Sequence, residues 1–410
     1  MADGIIKLAV EGFKSIAKRQ EIEIAPLTIL AGANSSGKSS IMQPLLMLKQ
    51  TLEATYDPGP LKIDGPNVTF TRAEEFLSKT EEVSARSLRM GIATRELGFD
   101  ATFCKGLQPG LEVIEETYRV LESSLTLRQG MSNHELQVAA QAFEPTKPFA
   151  LYKLSIGQER FLLHLKIEAS GFPVALEYPN PYIREVIHVP GLRGNPSRTY
   201  PVAAAGPNFP GTFDNYVASL ILAWEKERGQ RYDELNEDLR RVSLAIRVTA
   251  NRVNDVAIEL LVGLVDDRLD NVADVGIGVS LALPVLVALR AAEPGRLVYL
   301  EEPEIHLHPR AQTKLADILA GAAKRGVRVV AETHSTLLLR AVQTLVAKGD
   351  LDPALVRLHW FTRDSAGVTQ VSSAKLDADG AFGDWPEDFD DVALDSEQQY
   401  LDAVEGRLTR

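Results

Sequence analysis

A glycine-rich segment near the N-terminus constrains this chain more than any other feature. Residues 32–39 read Gly-Ala-Asn-Ser-Ser-Gly-Lys-Ser, the pattern GxxxxGK[ST], and they directly follow a short apolar run at residues 27–30. Residues 39–52 then alternate apolar and polar side chains at helical spacing. A strand that leads into such a loop and then a helix lets backbone N–H groups surround phosphate oxygens. The sequence therefore predicts a phosphate cradle that binds ATP or GTP.

The residue types in this loop have separate chemical roles. Gly32 and Gly37 permit backbone conformations that residues with a Cβ resist. Lys38 is expected to place positive charge on the β and γ phosphates, and the hydroxyl of Ser39 suits a magnesium ion. The predicted nucleotide-binding residues of the cradle are Gly32, Ala33, Asn34, Ser35, Ser36, Gly37, Lys38, Ser39 and Ser40.

The last third of the chain alternates between predicted helices and predicted strands. Helices are expected near residues 280–292, 310–325 and 335–348, and strands at 297–300, 327–331 and 357–361. Alternation of this kind implies crossover connections and a parallel sheet. We therefore predict an α/β core.

The middle of the chain follows other patterns. Residues 68–177 show mostly period-two segments, which predict an antiparallel sheet with loops. Residues 178–210 are rich in Pro, Gly and Asn and predict a long irregular connection, and residues 213–248 predict two amphipathic helices separated by Gly229. Sustained heptads are absent, which argues against a long coiled-coil arm. We expect two halves of an ATPase core at 1–60 and 263–362, a β-rich subdomain with its irregular connection at 61–210, a helical insertion at 211–262 and an acidic tail at 363–410.

Two carboxylates end the apolar strand predicted at residues 297–300. They are Glu301 and Glu302, and a proline follows them. In parallel sheets, ligands bind at the carboxyl ends of the strands, so an acidic pair at this position is a candidate site. Glu301 is expected to support the magnesium shell, usually through water, and Glu302 to polarise the attacking water.

Two further segments could complete such a site. His334 follows the next predicted strand, where a histidine can bind a γ-phosphate and sense its loss; a structural role is the alternative. Gly276, Gly278 and Ser280 directly precede a predicted helix, where they would form a second anion site. If that site faced the nucleotide of a neighbouring subunit, it would act in trans. A simple helix cap with a flexible approach is the other interpretation.

These segments, in this order, resemble the ABC-type ATPases, more closely their SMC-like branch, and most of all the OLD-like (overcoming lysogenisation defect) ATPases of bacterial antiphage defence. The resemblance spans both ends of the core, and residues from about 60 to 260 match only loosely. The run 302–309 is the most specific part, because its His-Leu-His-Pro ending is typical of this branch. The segments that carry the resemblance are 12–15, 25–28, 32–40, 274–280, 301–309 and 332–335, with a tail-like Gly-Asp-Trp-Pro at 383–386.

The resemblance implies an ABC-type P-loop ATPase head with a parallel core sheet, an antiparallel β subdomain and a helical insertion. ATP and Mg²⁺ would be its ligands, and residues 276–280 would act as a signature motif across a head-to-tail dimer. No glutamine stands clearly at the expected Q-loop, and Leu281 follows Ser280 where relatives often carry a polar residue. The implied roles are nucleotide contact for Lys14, Gly276, Gly278 and Ser280, magnesium support for Ser39 and Glu301, catalysis for Glu302, the switch for His334, and the D-loop region for His306 and His308.

Composition limits the cellular location and the binding partners that we expect for this protein. A lone cysteine, Cys104, excludes an intrachain disulfide and a cysteine zinc cluster. No apolar run reaches the roughly 18 residues of a membrane helix, and the start does not resemble a signal peptide, so we expect a cytoplasmic protein. The net charge of −12 argues against a uniformly basic nucleic-acid surface. Arginines nevertheless cluster between residues 184 and 252, which fits either a solvated face or a nucleic-acid contact.

We therefore expect an ATPase switch: ATP joins two heads, hydrolysis releases them, and the movement controls a separately encoded effector such as a nuclease. The alternatives are an ATP-stabilised scaffold with little turnover that recruits a nuclease, and an SMC-like DNA-repair ATPase. Many relatives fuse a TOPRIM nuclease after the ATPase. Here the acidic pair Asp377 and Asp379 lies beside Gly380 and predicts a turn, so we expect no nuclease in this chain. A GTPase is disfavoured because no NKxD-type motif follows the cradle.

Overall fold

A computed structural model describes residues 3–79, 85–106, 110–144, 153–167, 173–174, 179–204, 206–265 and 268–383. The first part of the chain contains β1 (Lys7–Glu11), β2 (Gln20–Glu23), β3 (Leu27–Gly32), α1 (Lys38–Leu52), β4 (Ser87–Ala93), β5 (Leu97–Lys105), β6 (Leu111–Val120), β7 (Ser123–Arg128), α2 (Asn133–Phe143), β8 (Leu154–Glu159), β9 (Leu162–Ile167) and β10 (Pro173–Val174).

The second part contains α3 (Asn180–Arg184), β11 (Ile187–Val189), β12 (Tyr200–Pro201), α4 (Val217–Glu227), α5 (Gln230–Arg241), β13 (Arg247–Arg252), β14 (Ala257–Gly263), β15 (Leu269–Asn271), α6 (Ile277–Ala291), β16 (Leu297–Glu301), α7 (Pro309–Lys324), β17 (Arg328–Glu332), α8 (Thr336–Ala347), β18 (Val356–Arg363) and β19 (Thr369–Ala374). Short 3₁₀ helices occupy Ala73–Glu75, Phe213–Tyr216, Val272–Asp274 and Pro353–Leu355.

The core is a six-stranded sheet in the order β11-β16-β17-β3-β18-β19. Neighbouring strands from β11 to β18 run parallel, and β18 pairs with β19 antiparallel. The N-terminal strand β3 is inserted between two C-terminal strands, with Ile29 paired to Ala331 on one side and Leu358 on the other. The carboxyl ends of β3, β16 and β17 therefore meet at one edge. The predicted parallel sheet and α/β class are confirmed.

Both faces of the core sheet are covered, which explains why every residue of β3 and β17 is buried. On one face, α1 and the antiparallel sheet pack in a core that includes Leu30, Leu45 and Tyr299. On the other face, the helices α4 to α8 pack in a core that includes Leu286 and Leu339. The strand β3, which leads into the glycine-rich loop, thus lies between two packed layers.

A second six-stranded sheet, in the order β2-β1-β4-β5-β6-β7, is antiparallel throughout. It confirms the period-two interpretation of the middle region. One helix, α2, lies inside that region and was not predicted. Its capping box is visible in the sequence: the Ser132 side chain accepts from the Glu135 N–H, and Glu135 accepts from the Ser132 N–H.

The stretch predicted as a long irregular connection contains α3 and two short strands. Three-residue β11 pairs parallel with β16, joining Val189 to Leu300 at the edge of the core sheet. An element this short shows no periodicity, so the sequence prediction of an irregular segment was wrong at this point. The pairing places the loop after β11 against the acidic end of β16.

The two helices predicted around Gly229 are α4 and α5, and Gly229 is the N-cap of α5. They pack beside a small sheet of β12, β14 and β13, with β15 paired to β14. The described residues hold no helix that is long and apolar enough to cross a bilayer.

Candidate functional site

The glycine-rich loop joins β3 to α1 and needs both of its glycines. Gly32 has a φ of +145° and Gly37 a φ of +110°. A Cβ at Gly32 would lie 2.3 Å from the Phe361 carbonyl oxygen, and one at Gly37 would lie 2.5 Å from Thr369 Oγ1. The backbone can approach these neighbours only without a side chain.

Lys38 is held inside the curve of this loop. Its Nζ donates to the carbonyl oxygens of Gly32 and Ala33, each at 2.9 Å. Burial lowers the pKa of Lys38, and the carboxylates of Glu332 and Glu302 oppose that shift. The only charge that the loop carries therefore faces the space enclosed by its own backbone.

Two cavities flank the loop. One, of ≈ 470 Å³, is lined by Lys14, Asn34, Ser35, Gly37, Lys38, Ser39, Ser40, Gln43, Glu302, Glu332, His334 and Arg363. The other, of ≈ 480 Å³, is lined by Gly32, Ala33, Asn34, Ser35, Ser36, His334, Trp360, Phe361, Thr362 and Arg363. Together they contain every predicted cradle residue, and we call them the cleft. Glu302 and His334 lie in the cleft, whereas Glu301 does not line it.

Lys14 lies in the cleft in a left-handed conformation, with a φ of +48°. Its Nζ donates to Gln43 Oε1 at 2.7 Å and sits 4.9 Å from the centre of the Phe70 ring. Burial lowers the pKa of Lys14, and the charge of Glu301 opposes the shift. A second cation thus lies near the cradle, and Gln43 is a cleft residue that sequence reasoning missed.

Glu302 is held in a strained backbone conformation at the end of β16. Its φ of +44° is left-handed, which costs a residue with a Cβ about 1–3 kcal/mol. The Glu302 N–H donates to the carbonyl oxygen of Glu332 at 2.9 Å, and Glu302 Oε1 lies 3.8 Å from His334 Nε2. The strained turn thus brings the carboxylate and the imidazole together at the cleft.

Glu301 makes a different set of contacts. His188 Nε2 lies 3.2 Å from Glu301 Oε1, and the Gly191 N–H donates to Glu301 Oε2 at 3.0 Å. Burial by itself would raise the pKa of Glu301, but the hydrogen bonds from His188 and Gly191 lower it below its usual value. The Glu301 carboxylate is therefore engaged by the end of β11 and the loop after it.

Glu332, the last residue of β17, was given no role in the sequence. Ser39 Oγ donates to Glu332 Oε1 at 2.8 Å, and the Tyr299 hydroxyl donates to Glu332 Oε2 at 2.9 Å. Burial raises the pKa of Glu332, while the bonds from Ser39 and Tyr299 oppose that shift. Its place at a strand end, parallel to Glu301, was the available signal.

Glu304 is a second residue that sequence reasoning missed. Thr333 Oγ1 and the His334 N–H both donate to Glu304 Oε1, the latter at 3.3 Å. Burial raises the pKa of this carboxyl group. Glu304 therefore ties the segment after β16 to the backbone that carries His334.

The oxygen groups around Ser39 suit a magnesium ion. The described residues contain no group of three or more His, Cys, Asp or Glu side chains that could hold a metal alone. Mg²⁺ normally takes one or two protein ligands and completes its shell with water and substrate phosphates. The Ser39 hydroxyl and the Glu332 carboxylate to which it donates fit that requirement. Glu301, which was predicted to support the magnesium shell, does not line the cleft, and its carboxylate contacts His188 and Gly191.

The ionisation of His334 gives a first testable prediction. Burial lowers its pKa, the charge of Lys38 lowers it further, and Glu302 opposes both. Lys38→Met should therefore raise the pKa of His334, and Glu302→Gln should lower it, as followed by NMR titration of labelled imidazoles. The resonances of exposed His134 should be the same in all three proteins. Shifts in the same direction in both variants would contradict this electrostatic account.

The predicted signature residues lie outside the cleft. Gly276 is the N-cap of α6 and is exposed, and Ser280 Oγ donates to the Ile277 carbonyl oxygen at 2.8 Å. Gly278 packs close to the His306 backbone, since a Cβ there would lie 3.3 Å from the His306 carbonyl oxygen. The structure thus brings the signature next to the D-loop region but not next to the cradle of the same chain.

The acidic pair beside Gly380 and the arginine cluster are explained by contacts within the chain. Asp377 accepts hydrogen bonds from the N–H groups of Asp379 and Ala381, around Gly380 at a φ of +79°, so the predicted turn is confirmed. The acidic residues from 384 onward lie outside the described part of the chain. Within the arginine cluster, side-chain contacts inside the chain engage Arg193, Arg198, Arg231, Arg240 and Arg252.

Comparisons with known proteins give one family match and several similar folds. Residues 215–340 match the family described as "AAA domain, putative AbiEii toxin, Type IV TA system". An SMC head bound to the C-winged helix domain of ScpA has a TM-score of 0.50 and 13% identity, over 91% of this chain and 98% of that one. An Smc head with a coiled coil and joint from Pyrococcus yayanosii has a TM-score of 0.51 and 10% identity, over 92% and 98%. No curated protein matches the sequence.

These similarities confirm the predicted fold: the chain has the architecture of SMC heads, which are ABC-type P-loop ATPase domains. The family match over residues 215–340 is to an AAA domain and supports an ATPase. At identities of 10–13%, the structural likeness concerns the fold. The OLD-like assignment stays a prediction from the sequence motifs.

Proposed function

We propose that this chain is a magnesium-dependent ABC-type ATPase whose active site is completed by a second copy of itself. One observation carries the proposal. The cradle, Glu302 and His334 share a single cleft, whereas the signature residues 276–280 lie elsewhere on the same chain. A single chain therefore presents two complementary halves of a site.

The cleft residues suit phosphoryl transfer to water. Backbone N–H groups and Lys38 would hold the phosphates, and Mg²⁺ bound near Ser39 would neutralise charge on them. Glu302 would accept a proton from the attacking water, and His334, 3.8 Å from it, would contact the γ-phosphate. The strained backbone of Glu302 fixes that carboxylate before substrate arrives.

The second half of the site is the start of α6. Exposed Gly276 and the adjacent N–H groups of the first turn form an anion site at a helix N-terminus. In a twofold dimer, each signature would face the nucleotide of the other copy, giving two equivalent sites.

We further propose that the ATP-driven dimer controls a separately encoded effector, such as a nuclease, in bacterial antiphage defence. Three observations support this part. The His-Leu-His-Pro run at 306–309 is typical of the OLD-like ATPases, and the matching family description names a putative AbiEii toxin. One similar SMC head is bound to a domain of another protein, ScpA, so this fold can serve as a docking partner.

Turnover as a function of protein concentration tests the proposed function. If two copies build each site, turnover per chain should rise with concentration and level off once the ATP-bound dimer forms. Phosphate release and light scattering on the same samples would measure both quantities. A scaffold with little turnover would dimerise without this rise, and turnover per chain that is constant down to the monomer would contradict the shared site.

A further inference from the structure

Residues 191–198, which we call the strap, connect the two half-sites within one chain. The strap follows β11 and runs across the carboxyl end of β16 toward the approach to α6. It begins at Gly191, whose N–H donates to Glu301 Oε2 at 3.0 Å. It ends at Arg198, which pairs with Asp274 beside the signature.

Arg193 is the strap's contact with the hydrolytic residue. Its Nη2 donates to the carbonyl oxygen of Glu302 at 2.8 Å and lies 3.4 Å from that of Glu301. The Glu302 carbonyl belongs to a residue held at a φ of +44°. A charged donor on this oxygen opposes relaxation of the turn, because relaxation would rotate the carbonyl away.

Arg193 is also the cation among several carboxylates. Burial lowers the pKa of its guanidinium, and the charges of Asp214, Glu304, Glu301 and Glu302 oppose the shift, in that order. Within the described residues, its buried Nε and Nη1 have no hydrogen-bond partner. The guanidinium is therefore placed to offset repulsion between Glu301 and Glu302 while it holds the backbone between them.

The other end of the strap is fixed to the approach to the signature. Arg198 Nη1 and Nη2 donate to Asp274 Oδ2 and Oδ1 at 3.0 and 2.6 Å, a two-pronged pair. Asn271 Nδ2 donates to the Arg198 carbonyl oxygen at 3.1 Å. A cavity of ≈ 270 Å³ between the strap and α6 is lined by both Arg193 and Ser280, so the strap and α6 are not closely packed at this point.

We infer that Arg193 is a positioning residue for Glu302, and that nucleotide binding at the signature changes the position of Glu302 through the strap. A phosphate bound at residues 276–280 would displace the segment that contains Asp274. Arg198, which pairs with Asp274, would transmit that displacement along the strap. Engagement of the signature with one nucleotide would then adjust Glu302 at the other nucleotide. The inference rests on the proposed function, because it needs two shared sites.

The first test replaces Arg193. Arg193→Gln should lower kcat for ATP by about 100-fold, as expected for a misplaced catalytic group, while KM and ATP affinity change by less than about twofold. Arg193→Lys retains a charged donor, so its kcat should be about tenfold higher than that of Arg193→Gln. Arg268→Gln, which removes an exposed arginine paired with Asp270, is the matched control. Wild-type kcat in Arg193→Gln would overturn the inference, and so would joint loss of kcat, ATP affinity and thermal stability.

The second test replaces Arg198. Arg198→Gln should leave turnover unchanged at protein concentrations below dimerisation. At saturating concentration it should lower the rate by about threefold to fivefold and bring the Hill coefficient for ATP toward 1, since exposed ion pairs contribute modestly. An unchanged Hill coefficient and rate would remove the strap from the mechanism. If turnover of the wild-type protein does not depend on protein concentration, the proposed function fails. If it does depend on concentration, but the Arg193 and Arg198 variants behave like the wild type, only the inference is refuted.

Discussion

Replacing Glu302 with glutamine should lower ATP turnover by about 10²- to 10⁴-fold, the range ascribed to a positioned acid or base. Glutamine has nearly the same shape but cannot accept the proton of the attacking water. The backbone contacts of Glu302 with Arg193 and Glu332 do not depend on its carboxylate, so the strained turn should persist. ATP binding should therefore change by less than about twofold.

Because hydrolysis would release the two copies, the same variant should accumulate as an ATP-bound dimer. Phosphate release, equilibrium ATP binding and light scattering measure the three quantities. Glu293→Gln is a matched control, since this exposed carboxylate pairs with Arg231. Turnover equal to the wild type would show that Glu302 is not the catalytic base. Loss of ATP binding would show that its carboxylate contributes to binding rather than to hydrolysis.

The two halves of the proposed site should each be indispensable. Lys38→Met removes the charge held inside the loop and should weaken ATP binding by about tenfold to 100-fold, the cost of a charge-assisted hydrogen bond. Ser280→Arg places a bulky cation at the start of α6, where it should block contact of the signature with the partner's nucleotide while leaving ATP binding to its own cradle intact. Neither protein alone should show measurable turnover. Lys348→Met, at an exposed position after α8, is the control for the lysine.

Sequence reasoning succeeded where the chemistry is local. The cradle is one continuous segment, and the strands that end in Glu301 and Glu332 are short apolar runs that predict burial. Glycine spacing in the loop reflects close contacts that no other residue tolerates. The parallel sheet followed from the alternation of helices and strands, even though β3 lies about 300 residues from the strands beside it.

Contacts between distant segments could not be predicted from the sequence. Ser39 and Glu332 are 293 positions apart, and Gly191 and Glu301 are 110 apart. Only its place at a strand end marked Glu332 in the sequence, and its contact with Ser39 at the start of α1 could not be predicted. Arg193 was seen only as part of an arginine cluster, since β11 is too short to reveal that the loop after it reaches the acidic pair.

Mixing the two inactive variants tests most directly whether the site is shared. In a mixed dimer, the intact cradle of the Ser280→Arg chain faces the intact signature of the Lys38→Met chain. Random pairing of equal amounts makes half of the dimers mixed, each with one complete site, so turnover should recover to about a quarter of the wild-type value. Differently tagged chains would verify that mixed dimers form. Turnover that stays at the sum of the two separate variants, although mixed dimers are present, would contradict a site built from two copies.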